Sequence, residues 1–210
     1  MESLEYKIAK RLLQINAIKF NPANPYQWTS GWNSPIYCDN RKILSYPELR
    51  NLVKDGFVEL IKKFYVIPDV IAGVATGSIA IAVLTAEKLE LPFVYVRLSP
   101  KKHGLQNRIE GVIKPNQTIV VIEDLVSTGR SSLNAVKTLR EQNVQILGMG
   151  AIFSYGFDIA AKNFEEYNCP LHTLTDYNKL IKIAVQEGYI KEKHLAELEE
   201  WRKDPAHWKK

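Results

Sequence analysis

The sequence is poor in cysteine, the residue that cross-links many secreted domains and holds zinc in many small ones. Only Cys38 and Cys169 occur among 210 residues, far apart and outside any metal-ligand spacing. This scarcity argues against a disulfide framework and against a zinc site. It fits a protein of the cytoplasm, where thiols stay reduced.

Long apolar runs are also missing. The longest uncharged segment, residues 70–86, contains two glycines, two threonines and a serine, so it predicts a strand, a loop and a helix rather than a membrane span. The opening segment MESLEYKIAKRLLQ has helical spacing of Leu4, Ile8 and Leu12, with charges throughout. We therefore expect neither a signal peptide nor a membrane partner.

No internal repeat or low-complexity linker interrupts the chain, and 46% of its residues are hydrophobic, enough for a full core. The formal net charge of +5 suits an anionic ligand, but a mildly basic surface explains it equally well. We predict a single domain over residues 1–210. Residues 1–45 would form mostly an N-terminal hood, residues 46–170 an α/β core and residues 171–210 a C-terminal helical segment.

Helical and strand-like patterns alternate through the core. A helix over residues 47–64 precedes the strand DVIAGVA, the helix AIAVLTAEKL and the strand PFVYV; the strand TIVVI, the helix SSLNAVKTLREQN and the strand VQILGMGAIF follow later. This order predicts an α/β fold with a mainly parallel central sheet and helices on both faces. Ligands of such sheets bind beyond the carboxyl ends of the strands, here just after Ala75, Val96 and Ile122.

The segment VVIEDLVSTGRSS, residues 120–132, places two adjacent carboxylates before a loop rich in hydroxyl groups. The first amides of the helix that follows lack intrahelical partners, and with the loop hydroxyls they form a cradle for an anion. Glu123 and Asp124 accept hydrogen bonds only, which suits them to a sugar diol. A ribose 5-phosphate satisfies both halves of the segment.

Two other interpretations of this segment are open on its residues alone. Ser131 caps a helix while the acids are simply solvated, or the acids position magnesium in a nucleotide hydrolase. The second interpretation requires a GxxxxGK[ST] loop, which the sequence lacks, as it also lacks GxGxxG.

Two further loops carry anion-binding character. GVATGS, residues 73–78, offers backbone amides for a second anion, although a tight turn packed for steric reasons explains it as well. RLSPKKHGLQNRIEG, residues 97–111, is long and cationic, and it predicts a lid that closes over a leaving anion. A solvated loop or a basic patch for RNA are the alternatives for this segment.

The thirteen-residue segment resembles the phosphoribosyl-diphosphate signature of type I phosphoribosyltransferases. Together with WTSGWNSPIYCDNR, VRLSPKKHG and LHTLTDYNKLIKIAVQEGYI, it is similar to the orotate phosphoribosyltransferase family over nearly the whole chain. The resemblance implies a type I phosphoribosyltransferase fold and a glycosyltransferase that moves a pentosyl group. Its reaction makes orotidine 5′-monophosphate and pyrophosphate from orotate and 5-phosphoribosyl 1-diphosphate, a step of pyrimidine biosynthesis.

The same resemblance implies the assembly and the cofactor. A cytoplasmic homodimer is expected, with the lid of one subunit reaching into the site of the other. Mg²⁺ is expected to be held mainly through substrate oxygens, without direct protein ligands.

The resemblance also assigns roles to residues. The catalytic residues would be Lys101, His103 and Asp124, the first two supplying charge and a proton at the leaving pyrophosphate. Phosphoribosyl diphosphate would bind to these three and to Arg97, Glu123, Ser127, Thr128, Gly129, Arg130, Ser131, Ser132, Ala75, Thr76, Gly77 and Ser78.

The chain departs from the family where orotate would bind. Leu98 and Gly77 stand where lysines are common, and SYGFDIA lacks the arginine that some members use for the orotate carboxylate. Orotate would then be held by Tyr37, Thr128, Ser34 and Arg41, with Tyr37 stacked on the pyrimidine or simply packed in the hood. The segment WRKDPAHWKK predicts a packed or frayed terminus without chemistry.

Two rival functions follow from these departures. One is transfer to another base, a purine or uracil. The other is a regulatory protein that binds phosphoribosyl diphosphate and uses its basic surface on nucleic acid. The Lys-Lys-His lid favours an enzyme, because a sensor needs no arm that closes on pyrophosphate, and we therefore expect no nucleic-acid partner.

Overall fold

The computed structural model describes residues 2–28, 31–98 and 108–209. Its elements in chain order are α1 (Leu4–Gln14), β1 (Ile18–Phe20), β2 (Tyr26–Gln27), β3 (Asn33–Ser34), β4 (Ile36–Cys38), α2 (Pro47–Phe64), β5 (Val70–Val74), α3 (Ile79–Lys88), β6 (Phe93–Val96), β7 (Ile109–Glu110), β8 (Thr118–Val126), α4 (Arg130–Arg140), β9 (Gln145–Ser154), α5 (Asp158–Glu166), β10 (Leu171–Asp176), α6 (Tyr177–Gln186) and α7 (Leu195–Lys203). Short 3-10 helices span Asn40–Ser45 and Glu192–His194.

A six-stranded sheet runs in the order β10-β9-β8-β5-β6-β7. Its first five strands are parallel, and β7 pairs antiparallel with β6. All carboxyl ends of the parallel strands therefore meet at one edge of the sheet, which gathers the loops after β5, β6, β8 and β9. The α/β prediction is confirmed.

Both faces of this sheet are covered. Apolar residues of α1, α2, α3, α6 and α7 pack on one face, and those of α4 and α5 pack on the other. Successive residues of β8 alternate between the two, since Val120 and Ile122 join the first cluster while Ile119 and Val121 join the second. This double burial explains why the strand reads as a continuous apolar run.

The structure confirms the helix over residues 47–64 and lengthens one predicted strand. β8 continues past Ile122 to Val126, so Glu123 and Asp124 lie within the strand instead of following it. Leu125 and Val126 pair in parallel register with Phe153 and Ser154 of β9, and this pairing extends the strand beyond its apolar run.

The region predicted as a C-terminal helical segment begins with a strand. Residues 171–176 form β10, the edge strand beside β9, before α6 and α7 follow. The helical description was therefore wrong for these six residues. Their sequence LHTLTD mixes polar and apolar residues because this strand is incompletely covered, with only Leu174 and Thr175 buried.

The hood consists of two small antiparallel pairs, β1 with β4 and β2 with β3. The helix α1 is not part of it, because its residues Ile8 and Leu12 are fully buried in the core beside α2 and α6. Aromatic rings anchor the hood to α7: Trp28 lies 5.8 Å from Trp201 between ring centroids, and the Trp201 Nε1 donates to the Asn33 carbonyl oxygen at 3.0 Å.

Among the helices in the described part of the chain, none combines the length and the apolar character that crossing a membrane requires.

Candidate active site

The two acids of β8 point to different surroundings because neighbouring residues of a strand face opposite sides of the sheet. Glu123 turns toward α4, is only 4% exposed, and accepts a hydrogen bond from the Ser132 hydroxyl at 2.9 Å. Its other oxygen accepts from the Asp124 backbone N–H at 3.0 Å. Asp124 is half-buried on the other side, against the loop after β5.

Burial raises the pKa of the Glu123 carboxyl well above its usual range, and the charge of Asp124 raises it further. Burial raises the pKa of Asp124 as well, but hydrogen bonding by Glu123 and the positive charge of Arg41 oppose that rise. The pair therefore favours a proton on Glu123 and a negative charge on Asp124. The acid that faces the loops is the one that carries charge.

The loop after β5 lies directly against this charged acid. A side-chain carbon on Gly77 would collide with the Asp124 carboxylate oxygens. Within the loop, the Ser78 hydroxyl is fully buried and donates to the Val74 carbonyl at 2.7 Å, and the Ala75 N–H donates to the Val96 carbonyl at 2.9 Å. Thr76 is the exposed residue of the loop.

Gly77→Ala should lower kcat/KM by about tenfold or more, because the added carbon displaces either the Asp124 carboxylate or the loop. Steady-state kinetics with both substrates measures the effect. Gly56→Ala is the control for loss of a glycine, since the carbon added there meets only the ends of the Leu174 and Leu4 side chains, at 3.3 Å. A Gly77→Ala variant as active as the wild type would contradict the close contact.

The helix α4 begins at the carboxyl end of β8 with its first turn open. Gly129 has a φ of +78°, and a side chain there would meet the Phe164 ring at 2.7 Å, so only glycine fits both the conformation and the space. No side chain of the described residues caps this helix. Its first amides and its positive dipole end therefore face the predicted phosphate position.

The predicted phosphate-binding residues differ in their exposure and in the hydrogen-bond donors that they can offer a phosphate. Ser127 and Thr128 are half-buried, whereas Arg130 and Ser131 are exposed. Ser132 is buried with its hydroxyl committed to Glu123, so its backbone amide remains as the donor. The Thr128 carbonyl accepts from the Asn163 side-chain amide at 2.9 Å, and this bond ties the loop to α5.

Comparison with known proteins identifies the family. The family model of the phosphoribosyl transferase domain matches residues 40–189. A curated orotate phosphoribosyltransferase of Bacteroides thetaiotaomicron is 52% identical over 208 residues, which cover 99% of this chain and 98% of that protein. The chain belongs to the orotate phosphoribosyltransferase family.

Solved structures show the same fold at lower identity. The UMP synthase of Leishmania donovani superposes with a TM-score of 0.81 at 22% identity over 95% of this chain, which spans 42% of that longer protein. The orotate phosphoribosyltransferase of Mycobacterium tuberculosis, solved in complex with 5-phospho-α-D-ribosyl 1-diphosphate, superposes with a TM-score of 0.65 at 19% identity. That superposition covers 85% of this chain and 99% of the other.

Several residues that the family resemblance singles out belong to residues 97–111, the segment predicted to close as a lid. Lys101 and His103 lie outside the described residues. Arg97 stands at the near end of the lid, where its N–H donates to the Arg108 carbonyl at 2.7 Å. Its Nε is buried without a hydrogen-bond partner among the described residues.

The residues predicted to hold orotate differ in their burial and in their hydrogen-bond partners. Ser34 is fully buried, and its hydroxyl donates to the Ile36 carbonyl at 2.7 Å, which closes a turn around Pro35. Tyr37 is 41% exposed and packs on Tyr26, with 5.4 Å between ring centroids. Arg41 donates to Asp39 at 2.6 Å, and this hydrogen bond lowers the pKa of Asp39.

Sequence reasoning missed Asn40. Its side-chain amide donates to the Asp124 carbonyl at 2.6 Å, and its amide oxygen accepts from the Cys38 thiol at 3.3 Å. Asn40 is 3% exposed and so fixes the backbone of the charged acid to the end of the hood. Asn40 differs from a surface asparagine only in being buried, and the segment SPIYCDNR gives no sign of that burial.

A groove of about 1500 Å³ adjoins the phosphate loop. Ser127, Thr128 and Arg130 belong to its lining, and so does an aromatic wall formed by Trp28, Trp32 and Phe157. Thr128 is therefore the one predicted orotate residue that also lines this groove. A planar base fits between such aromatic side chains.

Proposed function

We propose that this protein transfers the 5-phosphoribosyl group from 5-phosphoribosyl 1-diphosphate to orotate. The products are orotidine 5′-monophosphate and pyrophosphate, a step of pyrimidine biosynthesis. One observation carries the proposal: the charged Asp124 carboxylate lies against the Gly77 loop and a few residues before the open end of α4. A sugar diol held there has one anion-binding loop on each side.

Different segments of the site bind different groups of the substrate. The amides and hydroxyls of residues 127–132 hold the 5-phosphate, and residues 75–78 with Arg97 hold the pyrophosphate. Asp124 accepts hydrogen bonds from the ribose hydroxyls, while Glu123, buried behind it with a pKa raised by that burial, accepts from the Asp124 N–H and orients its backbone. Orotate N1 then bonds to the ribose carbon as the bond to pyrophosphate breaks, and N1 loses its proton.

The donor set suits Mg²⁺ held mainly through the substrate. No group of three or more metal-binding side chains occurs among residues 2–28, 31–98 and 108–209. Oxygens of the pyrophosphate and the ribose would hold the ion, as substrate phosphates commonly do for magnesium, and Asp124 would keep its carboxylate for the ribose hydroxyls. Mg²⁺ bound in this way would supply positive charge that offsets the charge on the departing pyrophosphate.

Lys101→Ala should lower kcat by about a hundredfold and leave the KM for orotate nearly unchanged. The reason is that a lid cation stabilises charge that develops only as pyrophosphate leaves. Lys102→Ala is the matched control, because it removes the same charge from the neighbouring position. Equal rises in both Michaelis constants at unchanged kcat would contradict a role for Lys101 in the lid.

The proposed assembly is a cytoplasmic homodimer in which each lid closes on the partner's site. An apolar surface of α3 supports it: Val83 is 41% exposed, and Ile79, Ala80 and Leu84 beside it are half-buried. Contiguous apolar surface on a helix next to an active site is typical of a subunit interface.

The test of the function is an assay of the protein with orotate, phosphoribosyl diphosphate and Mg²⁺, following the fall in orotate absorbance. Uracil, hypoxanthine and adenine are assayed in parallel. Consumption of orotate alone supports the proposal, and turnover of another base instead would overturn the substrate. Silence from all four bases, with salt-dependent binding of RNA or DNA, would favour the regulatory alternative.

A further inference from the structure

Orotate differs from other pyrimidine bases by a carboxylate on the carbon next to N1, the atom that attacks. A site that selects orotate therefore needs a cation close to the base, and a guanidinium suits a carboxylate because it donates two parallel hydrogen bonds. Among the described residues, the groove beside Thr128 is lined by four cationic side chains and two carboxylates. A cation that binds the orotate carboxylate has to be held in place beside the base and be free of an acidic partner.

Arg202 of α7 is held next to the loop that follows β9. Its Nη2 donates to the Gly156 carbonyl at 2.9 Å, and its Nε donates to the Tyr155 carbonyl at 3.3 Å. The guanidinium also lies 5.6 Å from the centre of the Tyr177 ring. These contacts fix the plane of the group before any ligand arrives.

Gly156 makes this placement possible. A side-chain carbon at Gly156 would lie 3.1 Å from Arg202 Nη2, and the residue has a φ of +65° that favours glycine. The guanidinium therefore occupies space that a side chain after β9 would otherwise fill. Both Gly156 and Arg202 line the same groove as Thr128 and the aromatic wall.

The charge on Arg202 is not matched by a carboxylate. It makes no ion pair with a described acid, and its two fixed partners are neutral carbonyls, so Nη1 keeps its donors for a ligand. Arg41 is paired with Asp39, and Arg130 is exposed on the first turn of α4 beside the 5-phosphate position. Of the three arginines, Arg202 alone is both oriented and uncompensated.

We infer that Arg202 binds the carboxylate of orotate and so determines which base this enzyme accepts. The inference rests on the proposed function and names a residue of the substrate pocket that the sequence left without a role. The pyrimidine lies on the aromatic wall, with N1 toward the ribose and the carboxylate toward α7. Thr128 and Arg202 both line the groove that would hold it.

The test compares Arg202→Gln and Arg202→Lys with the wild type and with Lys203→Gln, a control that removes a neighbouring exposed charge from the same groove. The enzyme is assayed with orotate and with its 6-carboxamide analogue, which keeps the shape and lacks the charge. Michaelis constants are measured for both bases and for phosphoribosyl diphosphate. Melting temperatures show that each variant is folded.

Arg202→Gln should raise the KM for orotate by about a hundredfold and change the constants for the carboxamide and for phosphoribosyl diphosphate by less than about threefold. Lys203→Gln should leave all three unchanged. If the Arg202→Gln variant fails to fold, the Arg202→Lys variant tests the inference instead. It keeps the charge without the two-pronged geometry, and a rise of about tenfold in the orotate constant alone is expected.

An unchanged orotate constant in the folded variants would overturn the inference, and so would equal rises for orotate and the carboxamide. A wild-type protein that turns over no orotate would remove the proposed function together with the inference. A wild type that turns over orotate, with Arg202 variants that match it, would remove only the inference.

Discussion

Asp124→Asn should lower kcat/KM by about a thousandfold while the protein melts at a slightly higher temperature. A hydrogen bond to a charged group contributes about 1.5–3 kcal/mol, and two bonds from a ribose diol correspond to about three decades of rate. Burial raises the pKa of Asp124, so its charge is held at a cost to the folded state. Asparagine keeps the shape and removes that cost.

Glu123→Gln is the matched comparison and should cost less than about tenfold in kcat/KM. Burial raises the pKa of Glu123 well above its usual range, so a neutral amide resembles the protonated form that this shift favours. The amide oxygen can accept from the Asp124 N–H, and the amide nitrogen can donate to Ser132, replacing the bonds at 3.0 and 2.9 Å.

Kinetics and thermal melting of the two variants distinguish the acids. Similar large losses of kcat/KM in both variants would mean that Glu123 also binds the ribose directly. The separate roles proposed above for the two acids would then be wrong. A loss of about a thousandfold confined to Asp124→Asn would identify the more exposed acid as the one that holds the sugar.

Trp201→Ala should lower the free energy of unfolding by about 3–5 kcal/mol. Trp201 is fully buried, with ring centroids of Trp28, Tyr155 and Phe157 at 5.8, 5.7 and 5.4 Å. Truncation leaves a cavity at the point where the hood joins α7. In a domain of this size the melting temperature should fall by about 10 °C.

Trp201→Phe separates packing from hydrogen bonding. Phenylalanine keeps much of the ring contact and loses the bond to the Asn33 carbonyl, so about 1–2 kcal/mol should be lost. Chemical denaturation measures both variants. Losses below about 1 kcal/mol for Trp201→Ala would show that the cluster does not hold the hood.

The core of the fold was predictable because each buried strand and amphipathic helix has its own period. The helix from Pro47 to Phe64 and the apolar strand starting at Thr118 follow directly from these patterns. The edge strand β10 was not predictable in the same way. Its mixed sequence lacks the apolar pattern of a strand, and its extended conformation depends on pairing with β9.

The candidate site was predictable where loops follow buried strands, and less so where distant segments meet. VVIEDLVSTGRSS and GVATGS disclosed the two acids and the two loops that lie beside Asp124 in the fold, because acids and glycine-rich turns follow buried strands directly in the sequence. Asn40 reaches Asp124 across 84 residues and Arg202 reaches Gly156 across 46, and contacts of this kind depend on the packing of whole elements. The segment WRKDPAHWKK was predicted to lack chemistry because nothing within it discloses that packing.

The bond between Trp201 and Asn33 joins residues 168 positions apart in the chain. During synthesis the ribosome releases the strands of the hood long before it makes the helix that anchors them. Until then Trp28 and Trp32 remain exposed aromatic surface, the type of surface that chaperones hold. The aromatic wall proposed to hold the base is therefore completed late in synthesis, by a helix far along the chain from the hood.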